Sequence, residues 1–328
     1  MELIFGIEFG STHITIYKKD ESIRREIAVI ERVKDEKTGD YIYGNYGRNL
    51  LDSDDALKEN LVYPISNGVV TDKEALKELL DRIFRYSFPK RKFLASIIFY
   101  VAAECGLSVE EYNDYREVCY AIGVDKVFFV PAALCILNSL GLNNRRDGYY
   151  AIADIGADTT KFYIVKGNHV IDGLSISFAG NTLNSFIKQY AYDELNCIIN
   201  DDQAVYLKLN CMSLIETDNA SNNLMCLDVN RRPIEKRFTA QDFKGVMNGF
   251  FGVIADSIKK LIEKNQAYEA SVKNNELILC GGTSKFYGID RFFENTLGMR
   301  VKTNTNDDII TSGLEVLIDE NRIVEVVG

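Results

Sequence analysis

The sequence contains one strand–turn–strand pattern twice, about 145 residues apart, at residues 3–17 and 149–166. In each copy an apolar strand leads into a turn with an acid, a glycine and hydroxyl side chains, and an alternating strand follows. Small turn residues let backbone N–H groups approach a phosphate without a clash from Cβ. Either copy alone also fits an ordinary β-hairpin. Their repetition favours two related lobes that face one nucleotide.

Two further features fit this interpretation. Each copy ends its first strand with a carboxylate, Glu8 or Asp154, and such a group can hold a cation or its water shell. A third element at residues 276–290 is a buried strand, a Gly281-Gly282 turn and the start of a helix. A flat ring or a phosphate can lie against the bare backbone of such a turn.

Composition limits the class of protein. A chain of 328 residues exceeds one typical core, so about two domains are expected. The net charge of −10 argues against nucleic acid as a main partner and does not favour an electrostatic hold on anionic lipid. Seven cysteines without a Cys-x-x-Cys motif are typical of reduced thiols. We therefore expect a cytoplasmic protein, and no signal peptide is visible at the start of the sequence.

The pattern of apolar residues predicts alternating helices and strands, which is typical of a mainly parallel sheet covered by helices. Strands are expected at 3–7, 14–17, 95–101, 126–130, 149–153, 162–165 and 276–280. Helices are expected at 71–86, 108–123, 131–140, 182–195 and 239–264. Residues 218–223 are predicted as a polar loop, and 143–148 as the crossing between lobes.

The three glycine-bearing elements, in this order and spacing, resemble the two phosphate loops and the adenosine loop of the actin-like ATPase superfamily. Four intervening segments resemble the MreB family of bacterial actins more narrowly. Residues 43–50 look like its small-subdomain helix, 63–72 like its Pro-(x)3-Gly-Val crossover, 177–184 like its Ala-Gly-Asp segment and 307–317 like its closing helix. The resemblance covers essentially the whole chain.

This resemblance implies an α/β actin-like fold: two lobes, each with a mixed five-stranded sheet flanked by helices, two small subdomains, and a nucleotide cleft between the lobes. The large subdomain of lobe I would comprise residues 1–29, 66–142 and 309–328, and its small subdomain 30–65. The large subdomain of lobe II would comprise 143–180 and 239–308, and its small subdomain 181–238.

The resemblance also implies ATP or ADP with Mg²⁺ as ligands. Glu8 and Asp154 would orient the metal, and Thr159 and Thr160 would be the catalytic hydroxyls. The nucleotide would be held by residues of the two phosphate loops, the Ala-Gly segment and the adenosine loop: Gly10, Ser11, Thr12, His13, Gly156, Ala157, Asp158, Gly180, Lys208, Gly281, Gly282, Thr283 and Phe286.

Four positions depart from the family pattern. Glu8 stands where the family has Asp, and Asp158 replaces a glycine and would repel a γ-phosphate without a cation nearby. Asn210 replaces an acid that helps hold the ribose. Val130 precedes Pro131 where the family has the glutamate that positions the attacking water, and valine can do neither that nor accept a proton.

We therefore predict a nucleotide-binding filament protein related to cell-shape determination, a weak ATPase at most, whose main partner is a second copy of itself. The alternative is a non-polymerising adaptor, similar to the FtsA and PilM families, that docks a membrane or division partner. A small-molecule kinase is the third option. Membrane contact, or contact with membrane-bound morphogenesis proteins, would use the aromatic and basic residues 84–92, which fit the end of a core helix and a solvated linker better.

Overall fold

A computed structural model of the chain describes residues 2–50, 59–87, 95–142, 148–215 and 219–322. The chain forms two compact units. The first comprises Met1–Arg146, Gly167–Val170 and Asp308–Gly328, and the second comprises Asp147–Lys166 and Ile171–Asp307. Each unit is built around a mixed sheet of five strands.

The first sheet mixes parallel and antiparallel pairs. Its strands are β1 (Glu2–Phe9), β2 (His13–Lys18), β3 (Arg24–Ile27), β9 (Ser96–Ala103) and β10 (Lys126–Pro131), in the order β10-β9-β1-β2-β3. β1 pairs in parallel with β9 and antiparallel with β2, and β10 is parallel to β9. The carboxyl ends of β1, β9 and β10 therefore lie at one edge of this sheet.

The second sheet repeats the pairings of the first. Its strands are β11 (Tyr149–Ile155), β12 (Thr160–Lys166), β13 (His169–Ile176), β17 (Glu276–Cys280) and β18 (Arg300–Thr303), in the order β13-β12-β11-β17-β18. β11 is antiparallel to β12 and parallel to β17, as β1 is to β2 and β9. The repeated pattern in the sequence is therefore the start of a repeated sheet.

The remaining strands of the described residues form three smaller sheets. A three-stranded sheet contains β4 (Ile30–Lys34), β5 (Tyr41–Tyr46) and β6 (Leu61–Val62), and β7 (Ile65–Ser66) pairs with β8 (Val69–Val70). In the second unit, β14 (Cys197–Ile198), β15 (Ser221–Asp228) and β16 (Pro233–Thr239) form another three-stranded sheet.

Helices cover the large sheets. The first unit contains α1 (Lys73–Ser87), α2 (Val109–Ala121), α3 (Ala132–Ser139) and α9 (Ile309–Asp319). The second contains α4 (Gly180–Asp193), α5 (Asp201–Asn210), α6 (Lys244–Lys264), α7 (Gln266–Asn274) and α8 (Ile289–Leu297). Within the residues described, no helix combines the length and apolar character that crossing a bilayer requires.

Local sequence signals explain where two of these helices begin. Asp72 accepts a hydrogen bond from the backbone N–H of Ala75 at 2.9 Å, which caps α1. Ser108 and Glu111 exchange the two bonds of a capping box at the start of α2, as the sequence predicts. Apolar side chains at helical spacing then bury one face of α1 against the sheet.

The predicted strands are all present, but β3, β13 and β18 were missed because polar residues and glycine interrupt their apolar pattern. The helix expected at 43–50 is wrong: β5 occupies Tyr41–Tyr46, and only a short 3-10 turn follows at Arg48–Leu50. The polar loop expected at 218–223 is also wrong from Ser221 onward, where β15 begins. The crossing expected at 143–148 lies outside the described residues except for Gly148.

The aromatic segment considered for membrane contact begins inside the fold. The Phe84 ring packs on Phe5 and Phe99, with ring centroids 5.2 Å and 5.0 Å away. This contact makes Phe84 part of the apolar core under α1. Residues 88–92 of the segment lie outside the described part of the chain.

We expect Gly313→Ala to destabilise the first unit, because α9 crosses α3 at this glycine. A Cβ on Gly313 would overlap the backbone carbonyl of Cys135, which cannot rotate aside. Overpacking of this kind costs about 1–3 kcal/mol. Thermal melts monitored by circular dichroism should show the loss, whereas Gly245→Ala, in open space on α6, should not lower the melting temperature. Equal melting temperatures for Gly313→Ala and the parent would contradict this packing.

Candidate functional site

The two glycine turns have the same backbone geometry. In the first unit the Gly10 N–H donates to the His13 carbonyl at 2.9 Å, and in the second the Gly156 N–H donates to the Thr159 carbonyl at 3.0 Å. A Cβ at Gly10 would lie 2.8 Å from the oxygen that its own N–H contacts, and one at Gly156 would lie 3.0 Å away. Glycine is therefore needed at both turns for the same steric reason.

The hydroxyl residues of the two turns differ in their roles. Thr160 donates its hydroxyl to the Phe178 carbonyl at 2.6 Å, which ties β12 to the segment before α4. Thr159 is buried, and its carbonyl is the acceptor for Gly156. In the first unit, Ser11 is half-buried and Thr12 is exposed, while a ring nitrogen of His13 lies 3.3 Å from Arg25. The Thr12 carbonyl accepts from the Ala28 N–H at 2.9 Å, so this turn is also tied to the segment after β3.

Both predicted metal-orienting acids are next to last in their strands, and each has a polar partner. Glu8 accepts a hydrogen bond from the Thr311 hydroxyl at 3.3 Å. Asp154 lies opposite Lys161 in the β11–β12 pairing, and their charged groups are 3.7 Å apart in nearly buried surroundings. The lysine thus faces the acid and balances its charge.

The acidic side chains of the described residues limit how Mg²⁺ could bind. No group of three or more His, Cys, Asp or Glu side chains within the described ranges can hold a metal alone. Mg²⁺ usually keeps several waters and binds one or two carboxylates together with substrate phosphates. A single carboxylate, such as Glu8 in the first unit or Asp154 in the second, would suit such a metal only together with a phosphate ligand and waters.

The predicted adenosine loop packs directly on the second turn. Gly281 has a φ of 86°, and a Cβ there would lie 2.5 Å from both an Asp154 carboxylate oxygen and the Ile155 carbonyl. Gly282, by contrast, starts a 3-10 turn, and a Cβ on it would meet no atom within 4 Å. Gly281 is thus required by the fold, while Gly282 leaves open space above the backbone.

The carbonyl of Gly156 joins three segments of the second unit. It accepts hydrogen bonds from the Thr283 hydroxyl at 2.9 Å and from the Gly180 N–H at 3.1 Å. A Cβ at Gly180 would lie 2.6 Å from the Thr283 hydroxyl and 3.5 Å from the Lys208 ammonium. The second turn, the start of α4, the Gly281–Thr283 loop and α5 therefore converge within one unit.

Lys208 is the charged group at this convergence. Its ammonium lies 3.4 Å from the Gly180 carbonyl, and no carboxylate among the residues described lies within salt-bridge distance. Burial lowers the pKa of Lys208 from 10.5 to about 8, because the charged form loses hydration. A half-buried cation without a carboxylate partner suits an anionic or hydroxyl-rich ligand.

The departures from the family pattern have local explanations. Asp158 accepts a hydrogen bond from the Asn181 side chain at 2.7 Å, and the Asn181 N–H donates to the Ala157 carbonyl at 2.8 Å. The carboxylate is therefore held toward the start of α4. The Asn210 amide donates to the Tyr206 carbonyl at 2.9 Å within its own helix.

Phe286, predicted at the base, packs edge-to-face on Phe251 with ring centroids 5.5 Å apart. Its ring thus contributes to the core of the second unit, and it closes the 3-10 turn that presents Gly282 and Thr283. Contact between its exposed edge and a ligand stays a prediction.

Val130 is fully buried near the carboxyl end of β10 and points away from the face that Phe129 presents to α2. Asp125, the acid nearest to it along this strand, lies at the opposite end and accepts from the Ile97 N–H at 2.7 Å. The sequence interpretation missed Glu104, which follows β9 beside Pro131 at the same sheet edge. A carboxylate just after a neighbouring parallel strand is the signal that would have found it.

We expect the buried charge of Lys208 to destabilise the parent most below pH 8. The folded pKa is lower than the unfolded one, so between about pH 8 and 10.5 the unfolded state binds more protons and stability rises with pH. Lys208→Met removes this penalty. Its melting temperature should exceed that of the parent at pH 7, and the difference should shrink as the pH rises through 8. A difference that is independent of pH would contradict the lowered pKa.

The chain resembles known proteins over almost its whole length. The MreB/Mbl protein family model matches residues 2–325. The cell shape-determining protein Mbl of Bacillus subtilis is 20% identical over 331 residues, which cover 96% of this chain and 95% of Mbl. The crystal structure of MreB5 of Spiroplasma citri bound to AMPPNP matches with a TM-score of 0.89 and 22% identity, covering 98% of each chain. The MamK double helical filament matches with a TM-score of 0.79 and 16% identity, covering 98% of this chain and 99% of MamK.

The structural matches establish the actin-like fold. At identities near 20% they show the architecture and do not show the chemistry of individual residues. The family model adds the sequence evidence over almost every residue. The chain belongs to the MreB/Mbl family.

Proposed function

We propose that this chain is a nucleotide-binding, actin-like cytoskeletal protein that polymerises into filaments and serves cell-shape determination, with slow or impaired ATP hydrolysis. Family membership supports the class of protein. The relatives supply the finer parts: Mbl is named as cell shape-determining, MreB5 was crystallised with AMPPNP, and MamK forms a double helical filament.

The observation that carries nucleotide binding is the convergence of Gly156, Gly180, Thr283 and Lys208 in the second unit. Glycines let a ligand approach the backbone, and Lys208 offers a cation. We assign phosphate contacts to the turns at residues 10–13 and 156–160, and the adenosine to Gly281–Thr283 beside Lys208. Mg²⁺ would neutralise the phosphates through a water shell oriented by Glu8 and Asp154.

Slow hydrolysis is proposed from Val130. Water attacking a γ-phosphate needs a group that orients it, and an apolar side chain cannot form the required hydrogen bond. Thr159 and Thr160 belong to the turn that we assign to the phosphates, and they are the proposed catalytic hydroxyls. The Thr160 hydroxyl already donates to the Phe178 carbonyl.

Polymerisation is tested by sedimentation and negative-stain microscopy. We expect the purified chain to pellet as filaments with ATP and Mg²⁺ and to remain in the supernatant without nucleotide. Gly282→Val, which targets the adenosine, is the matched control. A chain that binds nucleotide and never pellets would support the adaptor alternative. A chain that binds no nucleotide would refute the proposal as a whole.

Partners other than a second copy are a separate part of the proposal. Contact with a membrane surface or with membrane-bound morphogenesis proteins stays a prediction, because Phe84 is used in the core and the rest of that segment is largely outside the described residues. Co-sedimentation with anionic vesicles, with and without ATP, would measure it.

A further inference from the structure

The exposed side of α6 carries three glycines, Gly245, Gly249 and Gly252, at helical spacing. Glycine inside a helix is destabilising relative to alanine. A Cβ at any of the three would meet no atom within 4 Å, so packing inside the described fold does not require glycine there. The stripe leaves the backbone of α6 open to close approach from outside.

A groove lies along this stripe between α4 and α6, with a cavity volume of about 360 Å³. Phe186 and Tyr190 of α4 form one wall, Gly245, Val246 and Gly249 form the other, and Phe250 lies beneath. The Phe186 side chain is 42% exposed, which is unusual for a ring next to an apolar floor. The groove thus has an apolar floor, an aromatic wall on one side, and on the other a wall in which Val246 lies between two glycines without side chains.

One end of the groove is negatively charged. Asp193 and Glu194 end α4 there, where the helix carbonyls already carry negative partial charge. Asp193 accepts from the Gln189 amide at 2.7 Å, and Lys236 donates to the neighbouring Leu195 carbonyl. No lysine or arginine of the described residues forms an ion pair with either carboxylate. A cation from outside would be stabilised at this end.

We propose that this groove docks an amphipathic helix of a partner protein, with small or apolar residues against Gly245 and Gly249 and a lysine or arginine over Asp193 and Glu194. Helix-in-groove recognition uses apolar anchors at helical spacing, which the aromatic wall and open backbone match. Charge complementarity favours a basic partner over a second copy of this chain, which carries 48 acidic against 38 basic residues.

The test is a selection from a displayed library of 16-residue helical peptides, randomised on one face and at both ends, against the immobilised full chain. We expect enrichment of apolar residues four apart with lysine or arginine at one end only. The best enriched peptide, labelled with fluorescein, is then titrated in a polarisation assay together with a version in which its basic residues are changed to glutamate. The charge-reversed peptide should bind at least tenfold more weakly.

Two variants with matched controls locate the binding. Gly249→Leu fills the groove and should weaken the selected peptide at least tenfold without lowering the melting temperature, because its Cβ meets no atom within 4 Å and leucine favours the helix. Gly252→Leu, one turn further along and outside the groove, should bind like the parent. Asp193→Asn with Glu194→Gln should remove the preference for basic peptides, and Asp256→Asn on α6 should not.

Three results would overturn the proposal. The first is a selection in which the parent chain enriches no peptide relative to the Gly249→Leu chain. The second is enrichment of acidic peptides in place of basic ones. The third is loss of filament pelleting by the Gly249→Leu chain alone, which would make a second copy the occupant of the groove.

Discussion

Gly282→Val is expected to lower nucleotide affinity at least about 100-fold, which corresponds to about 2.8 kcal/mol of binding free energy. A branched side chain at Gly282 would occupy the space where the proposed adenine lies. The structure makes this a clean test, because a Cβ there meets no protein atom within 4 Å and the backbone conformation is open to any residue. The fold should therefore survive the substitution.

The measurement is a fluorescence titration with a labelled ATP analogue, accompanied by a thermal melt. Gly252→Val is the matched control: it places the same side chain in open space on α6, away from the adenosine loop. Equal affinities of parent and Gly282→Val would show that the adenosine assignment is wrong. The neighbouring Gly281→Val cannot serve, because it would clash with Asp154 and Ile155 and damage the fold itself.

The contrast between these two glycines shows what the sequence could predict. The Gly-Gly turn after a buried strand was sufficient to predict a loop with bare backbone, and its contact with a ligand stays a prediction. Only the three-dimensional structure reveals that Gly281 lets the end of β17 lie close to the paired strand β11, while Gly282 has open space above its backbone. The sequence does not distinguish the two glycines, because the atoms that crowd Gly281 belong to residues more than 120 positions away.

The central strands were predictable because buried parallel strands are continuous apolar runs. Edge strands such as β18, Arg-Val-Lys-Thr, are half polar, and their assignment depends on a neighbour that the local sequence does not specify. The error at 43–50 has another cause. There the family resemblance outweighed the local pattern, although Tyr41–Tyr46 is rich in tyrosine, a residue that favours strands.

The polar contacts of the candidate site were the least predictable part. Asp158 was expected to repel a phosphate, and nothing near it in the sequence indicates its bond to Asn181 on α4. Likewise, Lys161 could have pointed to either face of the sheet until its pairing with Asp154 was known. Such contacts depend on side-chain direction, which motif spacing does not determine.

The second large effect concerns hydrolysis. We expect the parent to release phosphate slowly, and Val130→Glu to accelerate release by about 10²–10⁴-fold, the usual contribution of a positioned acid–base group. Val130 is fully buried, so a glutamate there is also expected to lower stability unless it meets a bound ligand and its water. Val130→Gln is therefore the matched control, since it introduces a polar group of the same size without a base.

A malachite-green phosphate assay on the parent and both variants, with melting temperatures measured with and without nucleotide, separates the explanations. Acceleration by Val130→Glu and not by Val130→Gln would show that the missing carboxylate limits turnover. Loss of stability in both variants, without acceleration, would show that position 130 belongs to the core alone. A parent as fast as an ordinary MreB and unchanged by Val130→Glu would show that the hydrolytic site has been misread.

In that last case the carboxylate must come from elsewhere, and the structure offers two candidates. Glu104 follows β9 at the same edge of the first sheet as Val130, and its carboxylate lies against the Gly68 turn. Asp158 belongs to the second glycine turn and is oriented by Asn181. Glu104→Gln and Asp158→Asn each preserve size and remove the base, so whichever one lowers a fast parent rate identifies the acid. A slow parent whose rate neither substitution lowers further favours, by contrast, a filament whose ATP-bound state persists for want of a positioned water.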